Sequence, residues 1–381
     1  MKCSSDSQKR RTTDSVYLLN YIIEKSYRDK KMLVITSVDF QKAFDSVDRN
    51  KLLEVMKKYK IHPQVIDLII TIYKNDKTTL KIEESAIEDV YITSGIRQGC
   101  NGSTVLFLLI TYIIIEEISK MKLGIKINSI NITTLFFADD GLLLSDNIQD
   151  AANIINKLEE VGNYCGLNIN KSKSHHLINM NKDNISDISN IEVVNNIKYL
   201  GVKINEGRNC FKEHKQEKIM KSKQYSNLIM SVISKSSNKI MIGKTYWKNV
   251  ILAEILYGSE VIFYTKKEIE ELQRSENQAY RLMLGAPRYA PICSLRGEIG
   301  SSTMESRDKK NKITFAKHLL QSENKLIRDI AELDFNNNMT KFFKTACKYM
   351  EDLQISKDDL INKTNQQLKE VVMEADSEQW K

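Results

Sequence analysis

Apolar positions in this chain change period several times, and the changes divide it into regions. After the polar cluster Thr12, Thr13 and Asp14, the residues Val16, Leu19, Tyr21, Ile22 and Ile23 fall at helical spacing. This predicts a capped helix that ends before the charged patch at 28–31. Residues 32–40 (MLVITSVDF) are almost wholly apolar and β-branched, the pattern of a central strand covered on both faces. Helices are expected near 49–59 and from Pro63, a residue suited to a first helical position, to about Lys74. Two short alternating runs, 79–83 and 90–93, predict a hairpin, and the apolar run from Ser103 to about Lys122 predicts a buried helix. Residues 130–145 (INITTLFFADDGLLLS) read as two apolar strands meeting at a tight Asp-Asp-Gly turn. An amphipathic helix over about 148–164 and strands near 176–180 and 197–204 follow. Beyond Gly207 the strand pattern fades into helices broken near 236–238, 285–291 and 297–303. The fold class expected is therefore α+β, with roughly 200 mixed residues followed by a helical region.

The longest apolar stretch, 105–115, is interrupted by Thr111 and falls short of the ~20 residues of a membrane helix, so no membrane partner is expected. The polar start lacks a secretory apolar core. Six cysteines lie far apart with no CxxC pair or Cys/His cluster, which argues against a disulfide framework or a zinc knuckle. An intracellular location is expected, nuclear or cytoplasmic, and not a secreted one. The net charge of +8 is modest, but its distribution is uneven: residues 211–249 hold nine lysines against Glu213 and Glu217. Such a segment suits a polyanionic partner.

The chemistry is concentrated in three carboxylates. Asp139 and Asp140 interrupt a run of Leu, Phe, Ala and Gly, and Asp39 ends the apolar run before it. Carboxylates drawn toward a hydrophobic layer need neutralising, and three arriving from two central strands would form an oxygen-rich site suited to Mg²⁺. Asp-Asp-Gly is also an ordinary turn sequence, and the residues by themselves leave both readings open.

Five segments, VDFQKAFDSVDR, GIRQGC, FADD, GLNINKSKS and KYLGVKI, occur over about 38–204. Their order and approximate spacing resemble the palm motifs of reverse transcriptases from non-LTR (LINE-type) retrotransposons. TTDSVYLL resembles the helix before that palm; ILYGSEV and LMLGAPRYAP resemble segments after it. The resemblance implies a right-hand polymerase palm, an antiparallel sheet with packed helices, followed by a helical thumb and a helical C-terminal region. The divisions expected are 1–31, a partial fingers helix; 32–206, palm with fingers remnants; 207–300, basic thumb and post-thumb; and 301–381, C-terminal helices. The fingers segment and endonuclease that family members carry are not found, so a fragment is expected.

Carried over to this sequence, the resemblance implies an RNA-directed DNA polymerase in which Asp39 and Asp139 bind two Mg²⁺ ions, with Asp140 beside them and the carbonyl of Phe40 as a further ligand. Phe44 matches the aromatic that excludes a 2′ hydroxyl. Arg97, Gln98 and Gly99 match the segment approaching nucleotide and template, although Asn101 and Gly102 stand where the family usually has Pro and Leu. Lys173 matches a lysine near the triphosphate that could protonate pyrophosphate. Tyr199, Leu200 and Gly201 match a hairpin that holds the primer end. Lys212, Lys215, Lys218 and Lys221, three residues apart, would give a thumb helix a cationic stripe for a template–primer duplex. Asp48 reads as a helix cap and Asp45 as structural. The partners implied are an RNA template, a DNA primer and dNTPs; the alternative is an inactive remnant that binds nucleic acid through its basic thumb.

Overall fold

The computed structural model describes residues 11–74, 76–82, 85–180 and 185–378. They form two compact units, one of Lys30–Leu200 and one of Arg11–Asp29 with Gly201–Lys381.

Helix α1 (Thr12–Asp29) belongs to the second unit. The first unit then runs β1 (Val34–Val38), α2 (Ala43–Ser46), α3 (Arg49–Lys58), α4 (Pro63–Lys74), the hairpin β2 (Lys77–Ile82) and β3 (Ser85–Tyr91), and α5 (Asn101–Lys120). It continues through the short hairpin β4 (Ile125–Ile127) and β5 (Ile130–Ile132), β6 (Thr134–Phe137), β7 (Asp140–Ser145), α6 (Ile148–Tyr164), β8 (His175–Ile178), β9 (Asp187–Ile188), β10 (Ile191–Val193) and β11 (Asn196–Tyr199). Six strands make one sheet in the order β6-β7-β1-β8-β10-β9. Strand β1 is central and antiparallel to both neighbours, with Val34 opposite Ser145 on one side and Ile178 on the other. This explains its composition: Val34, Ile35, Thr36 and Val38 are all buried, and a strand flanked on both edges has its backbone groups taken up by the ladders.

Helix α6 covers part of the sheet because its apolar residues Ala151, Ile154, Ile155, Leu158 and Val161 form one stripe. Its start is fixed by Asn147, whose side chain accepts the Asp150 N–H at 2.7 Å. Helix α5 adds Leu106, Phe107, Ile110, Ile114 and Ile118 to the same core. Each such side chain contributes ~1.5–3 kcal/mol of burial. By length and composition α5 could cross a membrane, but half of its apolar window is buried inside the protein.

The run expected as two strands over 130–145 is three, β5, β6 and β7. It breaks at buried Thr133, whose hydroxyl donates to the Leu123 carbonyl at 2.5 Å. The tight turn also lies one residue earlier than expected. Phe137 pairs with Asp140 across Ala138 and Asp139, and Ala138 takes the left-handed φ of 55° that a two-residue hairpin demands. Gly141 lies within β7 because a β-carbon there would run into the Phe136 ring.

The second unit combines α1 with β12 (Val202–Asn205) and the helices α7 (Lys212–Ile233), α8 (Lys239–Tyr246), α9 (Leu252–Ile255), α10 (Lys266–Leu284), α11 (Ile292–Ile299), α12 (Met304–Leu320), α13 (Lys325–Asn337), α14 (Lys341–Asp352), α15 (Lys357–Asn362) and α16 (Asn365–Glu378). A π-helical turn, Trp247–Ile251, joins α8 to α9. Helix α1, grouped by sequence with fingers, finds its partners among the C-terminal helices. Tyr17 stands edge-on to Phe315, Phe342 and Phe343, its hydroxyl donates to Asp334 at 2.9 Å, and Asp14 pairs with His318 at 2.9 Å.

Candidate active site

The first carboxylate is held by its own backbone. Past Val38 the chain leaves β1 and pairs with the GLNINKSKS segment instead: the Asp39 carbonyl accepts the Asn170 N–H at 2.8 Å, and the Gln41 N–H donates to the Asn168 carbonyl at 2.9 Å. The Ser174 hydroxyl oxygen accepts the Asp39 N–H at 3.1 Å. Phe40 lies opposite Ile169 in this bridge; in a pair bonded through its flanking residues, the N–H and C=O of Phe40 itself point away from Ile169. Lys173 is exposed in the turn between Asn170 and Ser174, which brings it to the segment that grips Asp39.

The second pair arrives on the β6–β7 hairpin. Val38 stands opposite Gly141, so one further step along that register sets Asp39 level with Asp140. The carboxylates interact accordingly. Partial desolvation of an otherwise exposed side chain, then the charges of Asp139 and Asp39, raise the Asp140 carboxyl above its ordinary range, while Lys198 opposes them. Asp139 and Asp140 were expected to be drawn into a hydrophobic layer, but both are exposed and Asp39 is half-buried. The apolar flanks belong to the sheet interior, whereas the turn lifts the acids to its end. Among the described residues, no group of three or more His, Cys, Asp or Glu side chains has a metal-holding arrangement. Asp139 and Asp39 still act on Asp140 through their charges, a repulsion of the kind that a hard divalent cation relieves.

Phe44 is half-buried and stacked on Phe107, with ring centroids 4.8 Å apart and planes 16° from parallel. Gln98 and Gly99 are exposed just before α5, and Gly99 has φ 82° with open space around it. Arg97 is turned elsewhere: its guanidinium binds Asp76 at 2.7 and 3.0 Å. Arg49 reaches the same carboxylate at 2.7 Å and the carbonyls of Gly95 and Ile92 at 2.8 and 2.6 Å, and its guanidinium lies over the Tyr73 ring. Burial works against the Asp76 charge, but the hydrogen bonds from Arg97 and Arg49 prevail and hold its carboxyl below the usual range. This network anchors the GIRQGC segment.

Tyr199 is buried, and its hydroxyl donates to the Leu135 carbonyl at 3.1 Å, tying the KYLG segment to β6. Leu200 and Gly201 form the turn after it with φ 45° and 77°, and the chain passes between its two units there.

The cationic stripe expected on α7 is not an exposed stripe. Lys215 and Lys218 are buried, Lys215 is paired with Glu268 at 2.8 Å, and Lys221 lies between Glu217 and Glu254 at 3.2 and 2.7 Å. Lys212 remains exposed. With 3.6 residues per turn, a spacing of three rotates each lysine about 60° from the last, so the four spread around half the helix. Sequence reasoning missed Asn170, Ser174 and Lys198. All three lie within or beside quoted motifs, and Ser174, a small polar residue leading into a strand, was the readable one.

A family model described as reverse transcriptase (RNA-dependent DNA polymerase) matches residues 4–204. Among curated proteins, the chain is 26% identical over 164 residues to a retrovirus-related Pol polyprotein from the type-1 retrotransposable element R2 of Nasonia vitripennis, covering 43% of this chain and 16% of that one. It is 27% identical over 167 residues to the transposon TX1 149 kDa protein of Xenopus laevis, covering 43% and 13%. The chain thus spans less than a fifth of either relative. Among solved structures, a telomerase from Candida tropicalis with a fragment of telomeric RNA is similar at TM-score 0.42 and 14% identity, over 84% of this chain and 52% of that one. These relatives bear out the expected non-LTR kind. With the family match extending over more than half of its length and the five ordered motifs inside it, the chain belongs to the reverse transcriptase (RNA-dependent DNA polymerase) family.

Proposed function

We propose that this chain carries the polymerase centre of a non-LTR retrotransposon reverse transcriptase, extending a DNA primer with dNTPs along an RNA template. Reverse transcriptases generally use divalent metal, and here Asp39 and Asp139 would hold two Mg²⁺ ions, with Asp140 and the Phe40 carbonyl adjoining. When bound, the metal pair lowers the proton affinity of the attacking primer hydroxyl and balances charge on the departing pyrophosphate. The residues of the chain supply position. Asn170 and Ser174 fix the Asp39 backbone, the β6–β7 turn presents Asp139, and Lys173 is the proton donor for pyrophosphate. Phe44 limits the sugar to one without a 2′ hydroxyl; Gln98 and Gly99 meet the incoming nucleotide and template base; Arg97 acts from its bond to Asp76; and Tyr199, Leu200 and Gly201 hold the primer end.

The observation that carries this reading is the register of Val38 on Gly141, which aligns Asp39 with the hairpin acids and makes their charges interact. Primer extension on an RNA template with Mg²⁺ tests it. Asp139→Asn is expected to abolish extension while leaving the folded state intact by circular dichroism. Extension that survives this substitution would exclude the site.

A further inference from the structure

A cavity of about 430 Å³ opens in the first unit, lined by residues from the start of α3, the end of α4 and the segment that leaves β3, Arg49, Asn50, Tyr73, Tyr91 and Thr93 among them. Its size suits a small organic group. Tyr91 is 61% exposed, and the Lys77 amine lies 4.8 Å from the centroid of its ring. The Arg49 guanidinium stands 4.5 Å from the centroid of the Tyr73 ring, while its N–H groups are taken up by Asp76 and the carbonyls of Gly95 and Ile92.

The polar groups of the lining narrow the ligand. Both carboxylates are offset: Asp76 pairs with Arg49 and Arg97, and Asp48 accepts the Asn50 and Lys51 N–H groups at the start of α3. An anionic chain is therefore not turned away. The side chains of Asn50 and Thr93 make no hydrogen bond among the described residues, which leaves an amide and a hydroxyl to meet a polar edge. Aromatic faces beside unspent donors and acceptors suit an unstacked nucleobase, which stacks on rings and bonds through its edge.

The place of the cavity along the chain indicates the strand. Residues 91–94 run straight into the GIRQGC segment, whose Gly95 and Ile96 N–H groups donate to the Val47 and Phe44 carbonyls, each at 2.8 Å. Thr93 and Gln98 are five residues apart, a reach of at most ~18 Å, or about five nucleotides of one strand at ~3.4 Å each.

We infer that this cavity takes an unpaired base of the RNA template, stacked on Tyr91 ahead of the nucleotide being copied. This rests on the polymerase reading above and adds a template contact apart from the three acids.

The test is fluorescence anisotropy of the full chain with two labelled RNA–DNA hybrids, one blunt and one with an unpaired 5′ extension of the RNA strand. Wild type is expected to bind the extended form about fivefold or more tightly, the scale on which stacking one base on an aromatic ring acts. Tyr91→Ala is expected to lose that difference and to stay within about twofold of wild type on the blunt hybrid, which offers no unpaired base. Tyr91→Phe, which keeps the ring, is expected to retain the difference. Equal wild-type affinity for the two hybrids, in a protein that extends primers, would overturn this inference alone. So would a Tyr91→Ala protein that keeps the preference, or one that weakens equally on both hybrids, which would mark a structural role. A wild-type chain that neither binds a hybrid nor extends a primer would overturn the polymerase reading as well.

Discussion

The hydroxyl oxygen of Ser174 accepts the backbone N–H of Asp39 at 3.1 Å, across 135 residues of sequence. With the Asn170 N–H on the other side of the same residue, it sets the backbone from which the first carboxylate projects. Ser174→Ala is expected to cost about 1 kcal/mol of stability through the unpaired N–H. It should lower kcat for primer extension by up to about tenfold with little change in KM for dNTP, because it displaces a reacting group rather than a binding one. Wild-type kcat would show that the strand pairing alone fixes Asp39.

Phe44 has two roles to separate, since its stack on Phe107 packs the core whether or not it also meets the sugar. Phe44→Ala should cost about 2 kcal/mol, less than a fully buried phenylalanine because the ring is partly exposed. Phe44→Val keeps more of the packing and is expected to raise ribonucleotide incorporation relative to deoxynucleotide. If the ratio stays at the wild-type value in an active preparation, Phe44 is a packing residue only.

Gly141→Ala would drive a methyl group into the Phe136 ring at the position facing Val38. A loss of about 1–3 kcal/mol is expected. Phe136→Leu in the same chain should recover part of it, so a denaturation double-mutant cycle should show coupling. Strict additivity would mean that the ring moves aside freely.

Two histidines give the fold an acid limit. His176 is bonded to the Thr36 hydroxyl at 2.8 Å and the Ile188 carbonyl at 3.1 Å, and burial depresses it to about 4 from an ordinary 6.5. His214 is likewise pushed to about 4, by burial and then by Lys218. Between these values the unfolded chain binds protons that the folded one refuses, so stability falls as pH drops from about 6.5 toward 4 and changes little from this source above 6.5. Each histidine contributes up to about 3 kcal/mol to that loss. A Tm–pH series on His176→Gln/His214→Gln should show a flatter acid limb; an unchanged slope would assign it to other groups.

How far the sequence disclosed this molecule depended on whether the signal was local. The cap at Asp48 could be read from a short polar residue before a helical pattern, and its carboxylate accepts the Asn50 and Lys51 N–H groups at 2.8 and 3.0 Å. The strand leading to Asp39 and the hairpin carrying Asp139 were legible from apolar runs whose lengths suit strands. Side-chain direction was not. The apolar letters around Asp139 and Asp140 suggested burial, but a turn at a sheet end exposes what it carries. The α7 lysines suggested a stripe, yet which of them face inward depends on α10, where Glu268 waits for Lys215. The role of Asp76 as the anchor of both Arg49 and Arg97 left no periodic trace, because ion pairs between distant segments follow the fold and not the spacing.

The second unit is discontinuous, with α1 made first and its partners made last: Tyr17 and Asp334 are separated by 317 residues. During synthesis at ~5–20 residues per second, α1 leaves the ribosome roughly 15–60 s before the helices that enclose it. All that time its aromatic stripe stands uncovered, while the six-stranded unit can already form downstream. Synthesis therefore separates α1 from the helices that enclose it, and a gene cut after the six-stranded unit would leave α1 without the partners that complete it.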